Sequence, residues 1–335
     1  MKTIEKMYSS YTSKEIIDFC IKSEFDLNTI KFNKSFLEAH KSVGDLELLI
    51  EINKEEIRVL DYKCSEGNEW KLNSFLQLIL NVINEFNLDL NCKFIASIND
   101  GISPSDKYTK ISTFGRHHSS NHIGMPDPLV SGKLTFSKRL KDHLEGDIPF
   151  DSKKDKMIFR GSDTSKCRDN CLNQRLMFCL DHQDSEYIDS KITLYAHYDD
   201  EMLKKHNINK LKITAPRTSC EEQLKYKYIV YINGNTVSGD RMIWQLASNS
   251  LLVQVKPREV ENDYIWFHSF LNHLGILPTF AEESFLEDFN KFKQEANIEQ
   301  LIEKQKYFAK IITDETFQKE YTKEALLKYN EIYNS

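Results

Sequence analysis

The sequence predicts an α/β protein of two unequal domains with a parallel sheet, and three observations carry that expectation. Tyr228 to Ile232 reads as a strand, Asn233-Gly234 as a tight turn, Arg241 to Ala247 as a helix and Leu251 to Val255 as a second strand. Such a βαβ-like succession implies parallel strands with ligands bound beyond their carboxyl ends. Upstream, Trp70, Leu72, Phe75, Leu76, Ile79, Leu80, Ile83 and Phe86 keep helical spacing and lead into a short buried strand, Phe94 to Ile98. The third observation is length: 335 residues are long for one domain and comfortable for two.

The elements follow in order. Thr12-x-x-Glu15 has the form of a capping box ahead of Ile16, Ile17, Phe19 and Cys20, so a short helix opens the pattern. Leu46 to Ile52 and Ile57 to Tyr62 flank Asn53-Lys54-Glu55-Glu56 as a hairpin. After the helix and strand already named, residues 99 to 128 are rich in Gly, Ser, Pro, Asn and Asp and read as a long loop of the functional kind. Leu134 to Leu144 reads as helix, and the polar stretch Asp147 to Asp155 as the connection between domains. Met157-Ile158-Phe159 is a brief strand ending at Arg160-Gly161, and Asn170 to Leu180 is helical. Beyond Glu283 the pattern is helical to the end, with aromatic residues such as Phe289, Tyr321 and Tyr329 on the core side.

Composition narrows the function. The net charge is −6 with both signs spread along the chain, so no basic stripe favours nucleic acid, while a small anionic ligand held by a few arginines is compatible. Seven cysteines without a CxxC pair fit a reducing compartment, with Cys167 and Cys171 read as packing residues. The charged start Met1-Lys2-Thr3-Ile4-Glu5-Lys6 lacks a signal-peptide core, and no apolar run reaches the ~18 residues that span a bilayer. The expectation is a soluble, cytoplasmic protein whose membrane association would be peripheral.

Two separated stretches carry the chemistry: Phe159-Arg160-Gly161-Ser162-Asp163-Thr164 followed by Arg168, and Lys225-Tyr226-Lys227-Tyr228-Ile229 running through Asn233-Gly234 to Ser238 and Arg241. Each sets an arginine and hydroxyls beside a glycine at the end of an apolar run, which suits a phosphorylated ligand at a strand-to-helix turn. Together they resemble the signature of glycosyltransferase family 90, which includes Rumi-type protein O-glucosyl/O-xylosyltransferases, capsule-associated xylosyltransferases and lipopolysaccharide-modifying sugar transferases. The likeness covers about residues 90 to 330 and is densest from 157 to 260.

The resemblance implies a GT-B architecture, two Rossmann-like domains facing across a cleft with the C-terminal helices packing back. Residues 1–152 would form the acceptor-binding domain, 153–300 the nucleotide-sugar domain and 301–335 the final helices. It places Arg160, Gly161, Ser162, Thr164, Arg168, Lys227, Gly234, Ser238 and Arg241 at the donor nucleotide. Asp100, after Ile98-Asn99, matches the strand end that carries the catalytic base. UDP-glucose, UDP-xylose or UDP-galactose is the implied donor, and a glycan or protein hydroxyl the acceptor.

Physical chemistry asks for the same groups. Negative charge grows on the departing diphosphate, where an always-ionised guanidinium can bind phosphate oxygens bidentately. One carboxylate suffices as general base for an inverting displacement. No D-x-D stands at a strand end to hold a cation against the diphosphate, so no metal cofactor is expected.

Other readings stand beside these. Asp100 before Gly101 also fits an Asx-turn, Lys225 and Lys227 a solvated strand edge, and Asp199-Asp200 a solvated turn. His117, His118 and His122 suggest a surface or acceptor-binding loop, since no fourth ligand follows at zinc spacing. The alternative from another class is a non-catalytic nucleotide-sugar or carbohydrate-binding protein of the same fold, and the alternative within enzymes is a phosphate-ester or nucleotide hydrolase using the same arginines.

Overall fold

The computed structural model describes residues 12–24, 46–54, 56–67, 69–98, 113–115, 122–126, 140–164, 172–234, 239–258 and 265–335. The chain divides into two compact units, each assembled from separate stretches of sequence. One comprises Met1–Ser137, Glu261–His273 and Ile311–Ser335; the other comprises Lys138–Val260 and Leu274–Lys310.

The first unit holds a mixed sheet ordered β2-β1-β3-β4-β5, from β1 (Glu47–Asn53), β2 (Glu56–Lys63), β3 (Asn91–Ser97), β4 (Thr113–Gly115) and β5 (His122–Gly124). The expected hairpin forms: β2 and β3 flank β1 antiparallel, whereas β4 and β5 continue parallel to β3. These last two strands fall inside the stretch read as loop. Three residues are too short to show a period of two, so only pairing reveals them.

Helix Ser13–Glu24 opens on the capping box, with the Thr12 N–H donating to Glu15 Oε2 at 2.6 Å and the Glu15 N–H donating to Thr12 Oγ1 at 3.2 Å. Those bonds from Thr12 hold the Glu15 carboxyl below its ordinary range. Helix Glu69–Phe86 buries Leu72, Phe75, Ile79, Val82 and Ile83 at three- and four-residue spacings. It stops at Asn87, whose φ of 49° lets the Leu88 N–H reach back to the Ile83 carbonyl at 3.0 Å.

The last helix, Glu315–Asn334, belongs to this unit and packs on helix Glu69–Phe86 and on β3. Its buried tyrosines keep their hydroxyls satisfied: Tyr321 donates to the Gly124 carbonyl at 2.7 Å and Tyr329 to the Lys93 carbonyl at 2.8 Å.

His268, at the start of helix His268–His273, is fully buried, and burial pushes its imidazole down to about 4. Below its ordinary pKa the unfolded chain takes up a proton that the folded chain refuses, so stability must fall as pH drops from about 6.5 toward 4. This residue alone is expected to remove roughly 3 kcal/mol over that window. Denaturant melts of wild type and His268→Phe across pH 7 to 4 check it: the wild type should lose stability more steeply.

The second unit carries five strands in the order β10-β9-β8-β6-β7: β6 (Lys154–Ser162), β7 (Ile188–Leu194), β8 (Tyr226–Tyr231), β9 (Leu251–Val255) and β10 (Thr279–Phe280). Every neighbouring pair is parallel. Counted along the chain this is the doubly wound order 2-1-3-4-5, whose direction of winding reverses between β6 and β8. Asn233-Gly234 therefore leads out of β8 toward helix Gly239–Leu246 and a parallel β9, rather than turning a hairpin.

Helices cover both faces. On one, Phe159, Tyr228, Val230 and Val253 meet Leu176 and Phe178 of helix Gln174–Asp181 and Phe285 and Phe289 of helix Phe285–Glu295. Met242, Ile243 and Leu246 of helix Gly239–Leu246 are buried as well. The stretch 147–155, expected to join domains, lies within this unit. Asp147 and Lys153 form a buried ion pair there, Lys153 also donating to the Leu224 carbonyl, and β6 starts at Lys154.

Candidate functional site at the sheet switch point

In a doubly wound sheet ligands bind beyond the strand ends at the switch point, which here is where β6 and β8 end side by side and their connections leave for opposite faces. Gly161 and Ser162 end β6, while Asn233 and Gly234 follow β8. Two glycine-marked stretches far apart in sequence thus converge at neighbouring strand ends.

Between them lies Arg175, in the first turn of helix Gln174–Asp181 and only 4% exposed. Its Nε and Nη2 donate to the Ile232 carbonyl at 3.1 and 2.9 Å. Nη1 donates to the Ser162 carbonyl at 3.2 Å and to Thr164 Oγ1 at 3.0 Å, and Ser162 and Thr164 share a 2.7 Å hydroxyl contact. One guanidinium therefore ties the two strand ends together.

Missing side chains make room for it. A Cβ on Gly234 would stand 3.0 Å from Arg175 Nη2, and one on Gly161 would stand 2.8 Å from the Phe159 ring and 3.5 Å from Arg175 Nη1. Burial, together with the neighbouring charge of Arg241, pushes Arg175 down to about 9, which still leaves it a cation at neutral pH.

Arg241 approaches from helix Gly239–Leu246, its Nη1 3.4 Å from the Arg160 carbonyl oxygen. Among the described residues neither arginine has a carboxylate partner in an ion pair. Asn233 adds a third donor: it is 5% exposed and its side-chain Nδ2 has no hydrogen-bond partner among the described residues. Two like charges and an orphan amide donor form a site that an anionic ligand would complete.

Asp163, within the same motif, supports the scaffold. Fully buried, its carboxylate accepts from the backbone N–H groups of Ala196, His197 and Tyr198 at 2.6 to 3.2 Å, fixing the loop after β7 against the end of β6. Asn173 caps helix Gln174–Asp181, accepting from the Leu176 N–H at 3.0 Å, and its side-chain amide donates to the Asp163 carbonyl.

Of the residues singled out in the sequence, the structure gathers Gly161, Ser162, Thr164, Gly234 and Arg241. Arg160 is engaged elsewhere: Nη2 pairs with Asp189 Oδ2 at 2.7 Å, Nη1 donates to the Asp189 and Phe159 carbonyls, and Nε donates to Thr218 Oγ1 at 3.2 Å. Burial raises Asp189, but the bonds from Arg160 and Tyr226 outweigh it and hold the carboxyl low. Side chains alternate along a strand, so adjacent positions at a strand end do not share a destination.

Lys227 stands near the start of β8, away from the carboxyl end, with its ammonium 5.0 Å from the centre of the Phe150 ring. Asp199 caps helix Asp200–Lys205, and Asp200 pairs with Lys210. Asp100, Arg168 and Ser238 lie outside the described residues, as do His117, His118, Asp106, Asp127, Cys167 and Cys171.

Sequence reasoning passed over Arg175 and read Asn233 only as part of a turn. A signal for the first existed: a cation in the opening turn of a helix opposes the macrodipole, and a position that keeps one there has a use for it.

No family model matches the chain, and no curated protein matches it. Among the described residues no helix is long and apolar enough to cross a membrane.

Proposed function

We propose that this protein is an inverting glycosyltransferase that moves a hexose or pentose from a UDP-sugar to a hydroxyl of a glycan or protein, lipopolysaccharide being one such acceptor. The observation that carries the reading is a pair of arginines, Arg175 and Arg241, without carboxylate partners among the described residues, at the switch point of a doubly wound parallel sheet. Glycine-marked strand ends beside them match the residues on which the family 90 resemblance rests. In this reading the two units are the domains of a GT-B enzyme, the second binding donor and the first supplying the base.

Arg241 holds the diphosphate, Arg175 adds its buried positive charge from between the two strand ends it bonds, and the Asn233 amide donates to the diphosphate or to the ribose. As the glycosidic bond breaks, charge grows on the departing β-phosphate, and preorganised guanidinium donors stabilise that charge more than the ground state. Asp100 takes the acceptor proton. Arg168 and Ser238 are assigned to the donor by the resemblance; Arg160 braces the sheet beneath it.

The arginines supply the positive charge that many glycosyltransferases draw from a divalent cation, so donor binding should need no metal. Titration calorimetry of UDP, with and without EDTA, tests this. Equal affinity in both supports the reading. Binding lost on chelation would overturn the metal-free account, and no UDP binding in either condition would overturn the donor assignment.

A further inference from the structure

The outer edge of the first unit's sheet carries a charge pattern complementary to itself. β2 ends the strand order, and among the described residues no strand pairs with its outer side. Its register against β1 contains one extra residue, because Leu49 opposes Asp61 while Ile50 opposes Val59, leaving Leu60 as a bulge. In a regular strand Glu56 and Lys63 would point to opposite faces. The bulge resets the alternation: Glu47, Leu49, Glu51 and Asn53, on one face of β1, oppose Lys63, Asp61, Arg58 and Glu56. All four charged residues of β2 thus share a face. Ile57, Val59 and Tyr62 take the other, and Val59, Leu60 and Tyr62 are 41%, 43% and 67% exposed.

We propose that β2 pairs antiparallel with β2 of a second copy of this chain, about a two-fold axis passing through the bulge and normal to the sheet. Such a contact is isologous and would join two five-stranded sheets edge to edge. In that register Glu56 of one copy stands opposite Lys63 of the other, Arg58 opposite Asp61 and Ile57 opposite Tyr62, with Val59 and Leu60 of both copies at the axis.

Neighbouring registers are rejected. A shift of two residues one way sets Glu56 against Asp61 and Arg58 against its own copy; the other way sets Arg58 against Lys63 and Asp61 against itself. A shift of one residue would turn a copy over, facing charged against apolar side chains. Like charges directly opposite destabilise a strand pair and opposite charges support it. Charges and a bulge ordinarily keep an edge from pairing; here the bulge brings the signs into register. Arg58 already pairs with Glu56 within the chain at an exposed position, and a second copy adds Asp61 on its other side.

Sedimentation velocity on the full chain, over roughly 1–100 µM, decides the matter. Expected are a reversible dimer weakened by salt, and a dimer Kd raised at least about ten-fold by Arg58→Glu. The double variant Arg58→Glu/Asp61→Arg exchanges the two signs and should recover wild-type association. A monomer throughout the range would overturn the proposal. So would a dimer indifferent to Arg58→Glu, or a double variant as weak as the single one, since a merely unfolded or differently associated protein would not respond to restored charge.

Discussion

Arg241→Ala is expected to lower kcat/KM for the nucleotide-sugar by about 10²–10³-fold while the protein stays folded. Removing one preorganised donor from a developing anion typically costs about 2.7–4 kcal/mol of transition-state stabilisation, which is that range of rate. The fold should survive because the guanidinium makes one long hydrogen bond, 3.4 Å to the Arg160 carbonyl, and no ion pair among the described residues. Its charge also pushes Arg175 down, so deleting it relieves a repulsion and the Tm should not fall.

Arg160→Gln makes the contrast. It breaks the pair with Asp189 and the bond to Thr218, so Tm should fall while UDP affinity measured on the remaining folded protein changes little. An Arg241→Ala enzyme with wild-type kcat/KM would remove Arg241 from the leaving group. Tight UDP binding lost only in Arg160→Gln would exchange the roles of the two arginines.

Asp100→Asn should reduce transfer by about 10²–10⁴-fold with little change in UDP affinity, the usual span of a general-base contribution. The amide is nearly isosteric with the carboxylate and keeps a hydrogen-bonding side chain at the position, but it cannot accept a proton. Because the loss falls on a step realised only in the transition state, kcat and kcat/KM should drop together. The acid limb of the wild-type pH–rate profile, set by protonation of the base, should flatten in the variant. A full-rate Asp100→Asn enzyme would move the search to Asp106 and Asp127, the second held between Pro126 and Pro128.

Strands that repeat an apolar residue type or alternate strictly are legible in the sequence. Leu251–Val255 is bounded as read, and the hairpin around Asn53 forms with its arms within a residue or two of expectation. β7 is not legible: Ile188-Asp189-Ser190-Lys191-Ile192-Thr193-Leu194 alternates weakly, and two of its polar members are partnered by groups distant in sequence, Asp189 by Arg160 and Tyr226 and Thr193 by the Gly161 carbonyl. At the site, the glycine-marked strand ends can be read because Gly161 and Gly234 are local necessities of close approach. The destination of each arginine cannot.

By itself the sequence determined the longer, strongly patterned strands and helices, that their succession is α/β, and where glycines let strand ends be approached, since these depend on residues within a turn or two of one another. Only the tertiary structure decided the strand order and, with it, the site. β6 and β8 become neighbours through a crossover of more than 60 residues, and that adjacency turns Arg175, an ordinary polar residue in a helix pattern, into a buried cation bonded to both strand ends. The same adjacency assigns Arg160 to the sheet, because pairing with β7 puts Asp189 within reach of its guanidinium. Local propensity acts over a few residues, whereas desolvation and charge pairing depend on distance in space, and distance in space is set only when the sheet closes.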